Sequence, residues 1–164
     1  MAMGVIVILP EISGSERDYC LLGFEDLRFI LGLEGLSRDL RTMGYSLCIA
    51  GQAGNRIVQL IYRLQLYGIC KYVLLAKDMD SGCLEECRKS MGLPSCEIIL
   101  VGNSIERAID AKALGMKTVL LRNGEHAGIL PEDEPEAPDL VTSDIRDVID
   151  FAARGERENG NDSP

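Results

Sequence analysis

Short apolar runs that do not alternate with polar residues, each leading into a segment of helical periodicity, constrain this chain more than any other feature. Val5–Leu9, Leu47–Ala50, Tyr72–Leu75, Ile98–Val101 and Thr118–Leu121 are such runs. Between them, apolar residues recur at helical spacing and stop at glycine. Leu33, Leu36, Leu40 and Met43 precede Gly44, and Ile57, Val58, Ile61 and Leu64 precede Gly68. Leu84, Cys87 and Met91 precede Gly92, and Ile105, Ala108 and Ile109 precede Gly115. A strand that is apolar on both sides must be covered on both sides, and crossover helices between parallel strands do this. Glycine just past the last periodic residue is the usual end of such a helix. Leu140–Val141 predicts a short edge strand, and Ile145, Val148, Ile149 and Ala152 predict a last helix. The expectation is an α/β fold: three layers around a doubly wound, Rossmann-like, mostly parallel sheet of five to six strands. Residues 1–153 form one domain, and 154–164, rich in Gly, Asn and charge, are expected to be a disordered tail.

A chain of 164 residues, 46% of them hydrophobic, suffices for one packed domain. No apolar run approaches the roughly 18 residues of a membrane span. Val5–Leu9 lacks the basic flank and cleavage site of a signal peptide, so the chain reads as soluble and cytoplasmic. A net charge of −9 without a Lys/Arg cluster argues against nucleic acid, whose phosphates need clustered cations. The acidic run Glu132–Glu136 reads as a solvated loop. Six cysteines form neither a CxxC pair nor a Cys/His cluster, so no metal site is expected from them. Cys48 and Cys70 read as small core residues, and Cys83 and Cys87 share one helix face. The lone His126 has no nucleophile or second His in its loop, so a triad is unsupported.

Doubly wound sheets bind ligands beyond the carboxyl ends of their strands, so the residues just after each strand are the candidates. Pro10 and Glu11 follow the first strand, and Gly51 and Gln52 follow the second. Lys77 follows the third, and Gly102, Asn103, Ser104 and Arg107 follow the fourth. This last segment runs through Gly-Asn-Ser into a helix N-terminus, where free N–H groups and the positive dipole end favour an anion. Ser104 suits an N-cap. Gly51 and Gly54 serve either an anion-binding nest or simply a tight turn. Lys77 is either a charge-neutralising lysine or an ordinary surface one. Glu11 is either a cation ligand or proton acceptor, or an exposed loop carboxylate; the second reading is favoured.

The order from Tyr72 to Leu121 resembles the haloacid dehalogenase (HAD) superfamily: a strand, Lys77, an amphipathic helix, Gly92-Leu93-Pro94, then Glu97–Gly102 and Ala111–Val119. Pro138–Ile145 resembles that family's closing segment. The resemblance implies an Asp-x-Asp after the first strand, one Asp as nucleophile and one as acid/base. This chain has no aspartate there. The nucleophile place falls on Leu9 or Pro10; with Leu9 in that place, Glu11 takes the acid/base place. The family's phosphate-binding Ser or Thr and following Asn fall on Gly51 and Gln52, and its lysine on Lys77. The family's Gly-Asp-Ser, with a further acid one turn later, holds Mg²⁺; Asn103 and Arg107 stand in those acidic places. Amides bind Mg²⁺ poorly beside carboxylates. Asp110, one turn beyond Arg107, is the only acid left on that helix near the right face, and is expected too deep or turned outward.

Residues Pro10 to Gly32 are too few for a large helical cap, which implies a capless or minimally capped relative. The leading expectation is a catalytically silent HAD-like domain that binds a phosphate-bearing small molecule or a protein partner, with no cofactor. The alternative is a divergent phosphohydrolase of small or macromolecular phosphoesters, in which Glu11 and Lys77 would be catalytic and Mg²⁺ required. A third reading is an oligomer-forming module, with a second subunit in a homodimer covering the open crevice.

Overall fold

The structure, a computed structural model, describes residues 3–8, 24–52, 72–76, 81–121 and 138–161. Strand β1 (Gly4–Ile8) is followed by helix α1 (Phe24–Thr42) and strand β2 (Ser46–Gln52). Strand β3 (Tyr72–Ala76), helix α2 (Ser81–Met91) and a 3-10 turn (Ser95–Glu97) lead into strand β4 (Ile98–Gly102). Helix α3 (Ile105–Ala113), strand β5 (Lys117–Leu121), strand β6 (Leu140–Thr142) and helix α4 (Asp147–Asn161) complete the order. The helix expected over 57–68, the acidic run and His126 lie outside the described residues.

The six strands form one sheet in the order β3-β2-β1-β4-β5-β6, and every adjacent pair is parallel. The doubly wound expectation holds. Strand geometry sends successive side chains to opposite faces, and the register keeps odd residues with odd residues from β2 through β1 and β4 to β5. Val5, Val7, Leu47, Ile49, Ile99, Val101, Val119 and Leu121 therefore share one face with α1 and α4. Ile6, Ile8, Cys48, Ala50, Ile98 and Leu100 share the other with α2 and α3. Leu33, Leu36 and Leu40 of α1 are completely buried, each contributing about 1.5–3 kcal/mol of transfer free energy. At Gly32 an added Cβ would come within 2.7 Å of Ile145 Cγ2, so the close approach of α1 to the segment before α4 uses the missing side chain.

The glycine stops appear as expected at two helix ends that share one geometry. Past α1, Gly44 has φ 79°, its N–H donates to Arg41 O, and Tyr45 N–H donates to Leu40 O at 2.9 Å. Past α3, Gly115 has φ 89°, its N–H donates to Lys112 O, and Met116 N–H donates to Ala111 O at 3.0 Å. Both are Schellman closures, which need a left-handed residue at that step.

Two expectations about boundaries change. Gly51 and Gln52 lie inside β2, paired with Leu75 and Ala76, rather than in a turn. Pairing with β3 on the outer side prolongs the strand two residues past Ala50, where pairing with β1 ends. Helix α4 also runs on to Asn161, where a disordered tail from 154 is expected. Gly155, a poor helix residue by itself, is buried there, and an added Cβ would sit 3.2 Å from Lys117 Nζ.

Candidate functional site

Strands β1 and β4 are neighbours at the centre of the sheet, but their chains continue in opposite directions, β1 toward β2 and β4 toward β5. A parallel sheet opens a crevice at such a switch point, beyond the carboxyl ends of the two strands. The register sets Val7 beside both Ile49 and Val101, so the chain leaves β1 at Ile8, between Ala50 and Gly102. Gly51 and Gln52 extend past Ala50 on one side, and Asn103 and Ser104 follow Gly102 on the other. Four sequence candidates, Gly51, Gln52, Gly102 and Asn103, are thus gathered at one edge of the sheet, with Ser104 and Arg107 opening α3. Pro10, Glu11 and Lys77 lie outside the described residues.

The turn from β4 into α3 is built by Ser104. Its backbone is extended (φ −104°, ψ 124°), its Oγ accepts from Arg107 N–H at 3.4 Å, and its carbonyl accepts from Ala108 N–H at 3.1 Å. This is the N-cap arrangement expected of a serine that starts a helix. Asn103 and Ser104 are both half-buried, so their polar groups sit at the boundary between core and solvent. Gly102 is buried, and a Cβ there would meet Ile8 Cβ at 3.6 Å, an ordinary contact.

Arg107 is the unusual group. It lies in the first turn of α3, where the positive end of the helix dipole opposes a cation. Two carboxylates on its own helix offset that cost: Asp110 Oδ2 lies 3.1 Å from Nη1, and Glu106 Oε2 lies 3.7 Å from Nη2. The Asp110 oxygen lies off the direction of the Nη1 N–H bonds. The contact is therefore ionic, and buried Nη1 has no hydrogen-bond partner among the described residues. Only 19% of the Arg107 side chain is exposed, against 85% for Glu106. Asp110 is neither too deep nor turned away, as the sequence pattern suggested: it is half-buried and faces Arg107. The i,i+3 spacing on one helix was the available signal for that pair.

The same sheet face carries a cluster of buried thiols. Cys83 and Cys87 of α2 and Cys48 of β2 are all buried and free. The Cys87 thiol is pushed up to about 12, first by its hydrogen bond with Cys48 and then by burial, while the Cys83 contact works the other way. A thiol so far above neutrality stays protonated and behaves as core. Among the described residues, no group of three or more His, Cys, Asp or Glu could hold a metal ion. No helix among them is long and apolar enough to cross a membrane.

The architecture has solved counterparts. An L-2-haloacid dehalogenase superposes with a TM-score of 0.61 at 23% identity, covering 84% of this chain and 59% of its own. A HAD phosphatase from Thermococcus onnurineus gives 0.57 at 21% identity, with 74% and 55% covered. A predicted phosphoglycolate phosphatase from Haemophilus somnus 129pt gives 0.56 at 18%, with 74% and 54% covered. The fold is the one that these dehalogenase and phosphatase structures share. No family model matches the sequence, and no curated protein matches it. The chain spans a little over half the length of these three proteins.

Proposed function

We propose that this chain is a HAD-fold domain that binds a phosphate-bearing ligand at the switch-point crevice and does not cleave it. The observation that carries the reading is Arg107: a mostly buried cation, with a hydrogen-bonding atom unmet among the described residues, in the first helical turn beyond the central strand β4. A buried donor without a partner costs on the order of 1–3 kcal/mol, which an anion accepting from it would remove. The N-terminal N–H groups of α3 and the dipole act in the same direction. Gly51, Gln52, Asn103 and Ser104 would line the anion's surroundings, and Lys77 and Pro10 complete the set that the sequence assigns to the strand ends.

Silence follows from the missing attacking group. Covalent phosphoryl transfer needs a nucleophile, and the segment after β1 reads Leu9-Pro10-Glu11-Ile12 without aspartate. The test is a panel of phosphoesters with Mg²⁺, run on the purified chain and on Glu11→Gln, beside a calorimetric titration with orthophosphate. No turnover in either protein together with phosphate binding is the expected result. Turnover that needs Mg²⁺ and vanishes in Glu11→Gln would replace this reading with a divergent phosphohydrolase, in which Lys77 and the Gly102–Ser104 turn stabilise developing phosphoryl charge. Neither turnover nor phosphate binding would move the search to a protein partner, including a second copy of the chain.

A further inference from the structure

The resemblance of Gly102–Arg107 to the metal-binding motif of phosphatase-type HAD proteins implies Mg²⁺ beyond β4, and the donors placed there do not fit it. Mg²⁺ demands near-octahedral hard oxygens and is bound through carboxylates with several retained waters. Asn103 offers a neutral amide, and Ser104 Oγ is engaged as the helix cap by Arg107 N–H at 3.4 Å. The two carboxylates of the first turns, Glu106 and Asp110, stand 3.7 and 3.1 Å from the Arg107 guanidinium. A cation entering here would meet a fixed positive charge and would have to compete with it for Asp110.

We infer that Arg107 is a built-in replacement for the divalent metal: its guanidinium takes up Asp110 and excludes Mg²⁺ from the crevice. Loss of the acid at 103 is then only half of the change, and restoring that acid alone does not restore a metal site. The inference rests on reading the switch-point crevice as the binding site, but not on which anion, if any, enters it. Three features of the structure require the cation to be held rather than incidental. It is four-fifths buried, it sits at the unfavourable end of a helix dipole, and a half-buried carboxylate faces it from the next turn.

The experiment is a calorimetric titration of Mg²⁺ alone into four proteins: the native chain, Asn103→Asp, Asn103→Asp/Arg107→Asp and Asn103→Asp/Arg107→Gln. The last variant removes the charge without crowding acids into the turn, which guards against a failure to fold, and thermal melts confirm folding of each. The native chain and Asn103→Asp are expected to bind no Mg²⁺ at millimolar concentration. At least one of the double variants is expected to bind it, tighter by about tenfold or more, the scale of removing a unit charge a few ångström away. Mg²⁺ binding by the native chain or by Asn103→Asp as tight as in the double variants overturns the inference, and so does absence of binding in both folded double variants. An orthophosphate titration in EDTA is run beside these. If the native chain ignores phosphate while the Mg²⁺ pattern holds, the anion-site reading falls and the exclusion by Arg107 stands.

Discussion

Helices α2 and α3 cover the same face of the same sheet and do opposite things with it. α2 turns Cys83, Leu84, Cys87 and Met91 inward, all buried, and joins them to Cys48, Ile6 and Ile98. Two of its polar groups are paired with each other: Glu85 and Arg88 form a bidentate contact, with oxygens at 2.6–3.0 Å, and Arg88 Nη1 donates to Leu93 O at 3.3 Å. α3 buries only Ala108 and Ala111. Its first turn holds a cation against the dipole, with one donor atom unmet among the described residues. A fully buried inner face, with a close ion pair beside it, marks an element that stabilises. An element of small residues with a costly polar group at a crevice marks one shaped by something else, since such costs persist where a function requires them.

Truncation of the stabilising helix gives the largest effect. Leu84 is completely buried, so Leu84→Ala should cost about 2–5 kcal/mol in denaturant unfolding, through lost transfer energy and a residual cavity. Phosphate affinity measured on the folded fraction should stay the same. A large change in affinity with little loss of stability would break the division of labour between the two helices.

The thiol cluster gives the next effect, and its sign can be worked out. The Cys87 pKa is raised from 9.0 to about 12, so the folded state holds the proton more tightly than the unfolded chain. The associated stability is fully present below pH 9.0 and is lost as pH rises toward about 12. Cys87→Ala should flatten that alkaline loss in a series of urea melts. Maleimide labelling of the native chain at neutral pH should reach exposed Cys96 before Cys48, Cys83 or Cys87. Fast labelling of Cys87 would mean that α2 opens readily and is no stabilising element.

Much of this architecture is legible without coordinates. Unalternated apolar strands imply burial on both faces, and Gly44, Gly92 and Gly115 all appear past helix ends with positive φ. Of the two cysteines assigned to the core, Cys48 is there and Cys70 lies outside the described residues; Cys83 and Cys87, expected on one helix face, are both buried. What the pattern missed depends on neighbours rather than on local preference. Gly51 reads as a turn residue, but β3 pairs with it and keeps it in the strand. Gly155 falls in the stretch expected to be a disordered tail, yet it is buried within α4 beside Lys117. At the candidate site, Gly102 to Arg107 lie at and just beyond the end of β4, one of the two strands of the switch point. The Arg107–Asp110 pair was compatible with the spacing but not dictated by it, because a long side chain in the first turn can also face solvent.

Ser104 gives a smaller effect on the other side of the comparison. Ser104→Ala removes the acceptor for Arg107 N–H, and a contact already 3.4 Å long should cost about 0.5–1 kcal/mol, the low end for a helix cap. Unlike the Leu84 change, it should weaken phosphate binding, because the same turn presents the N–H groups of α3. Unchanged phosphate affinity in a stable Ser104→Ala protein would place the anion elsewhere.

The smallest effect belongs to the paired surface of α2. Glu85 sits below the usual carboxylate range, first because Arg88 hydrogen-bonds its charged form and also through the charges of Arg88 and Lys89. A depressed carboxyl contributes stability that is present above its unfolded value of 4.5 and lost as pH falls through the lower folded value. Both partners are part-buried at the surface, with 27% of Arg88 and 35% of Glu85 exposed, and water still screens the pair, so the contribution stays small. Glu85→Gln should therefore shift the melting temperature slightly at pH 7 and not at all below the folded pKa, and 1 M salt should shrink the difference further. A loss as large as that of Leu84→Ala would show that Arg88, through its bond to Leu93 O, anchors the passage from α2 into β4. α2 would then be held by its outer face as much as by its buried one, and the contrast with α3 would rest on pairing alone.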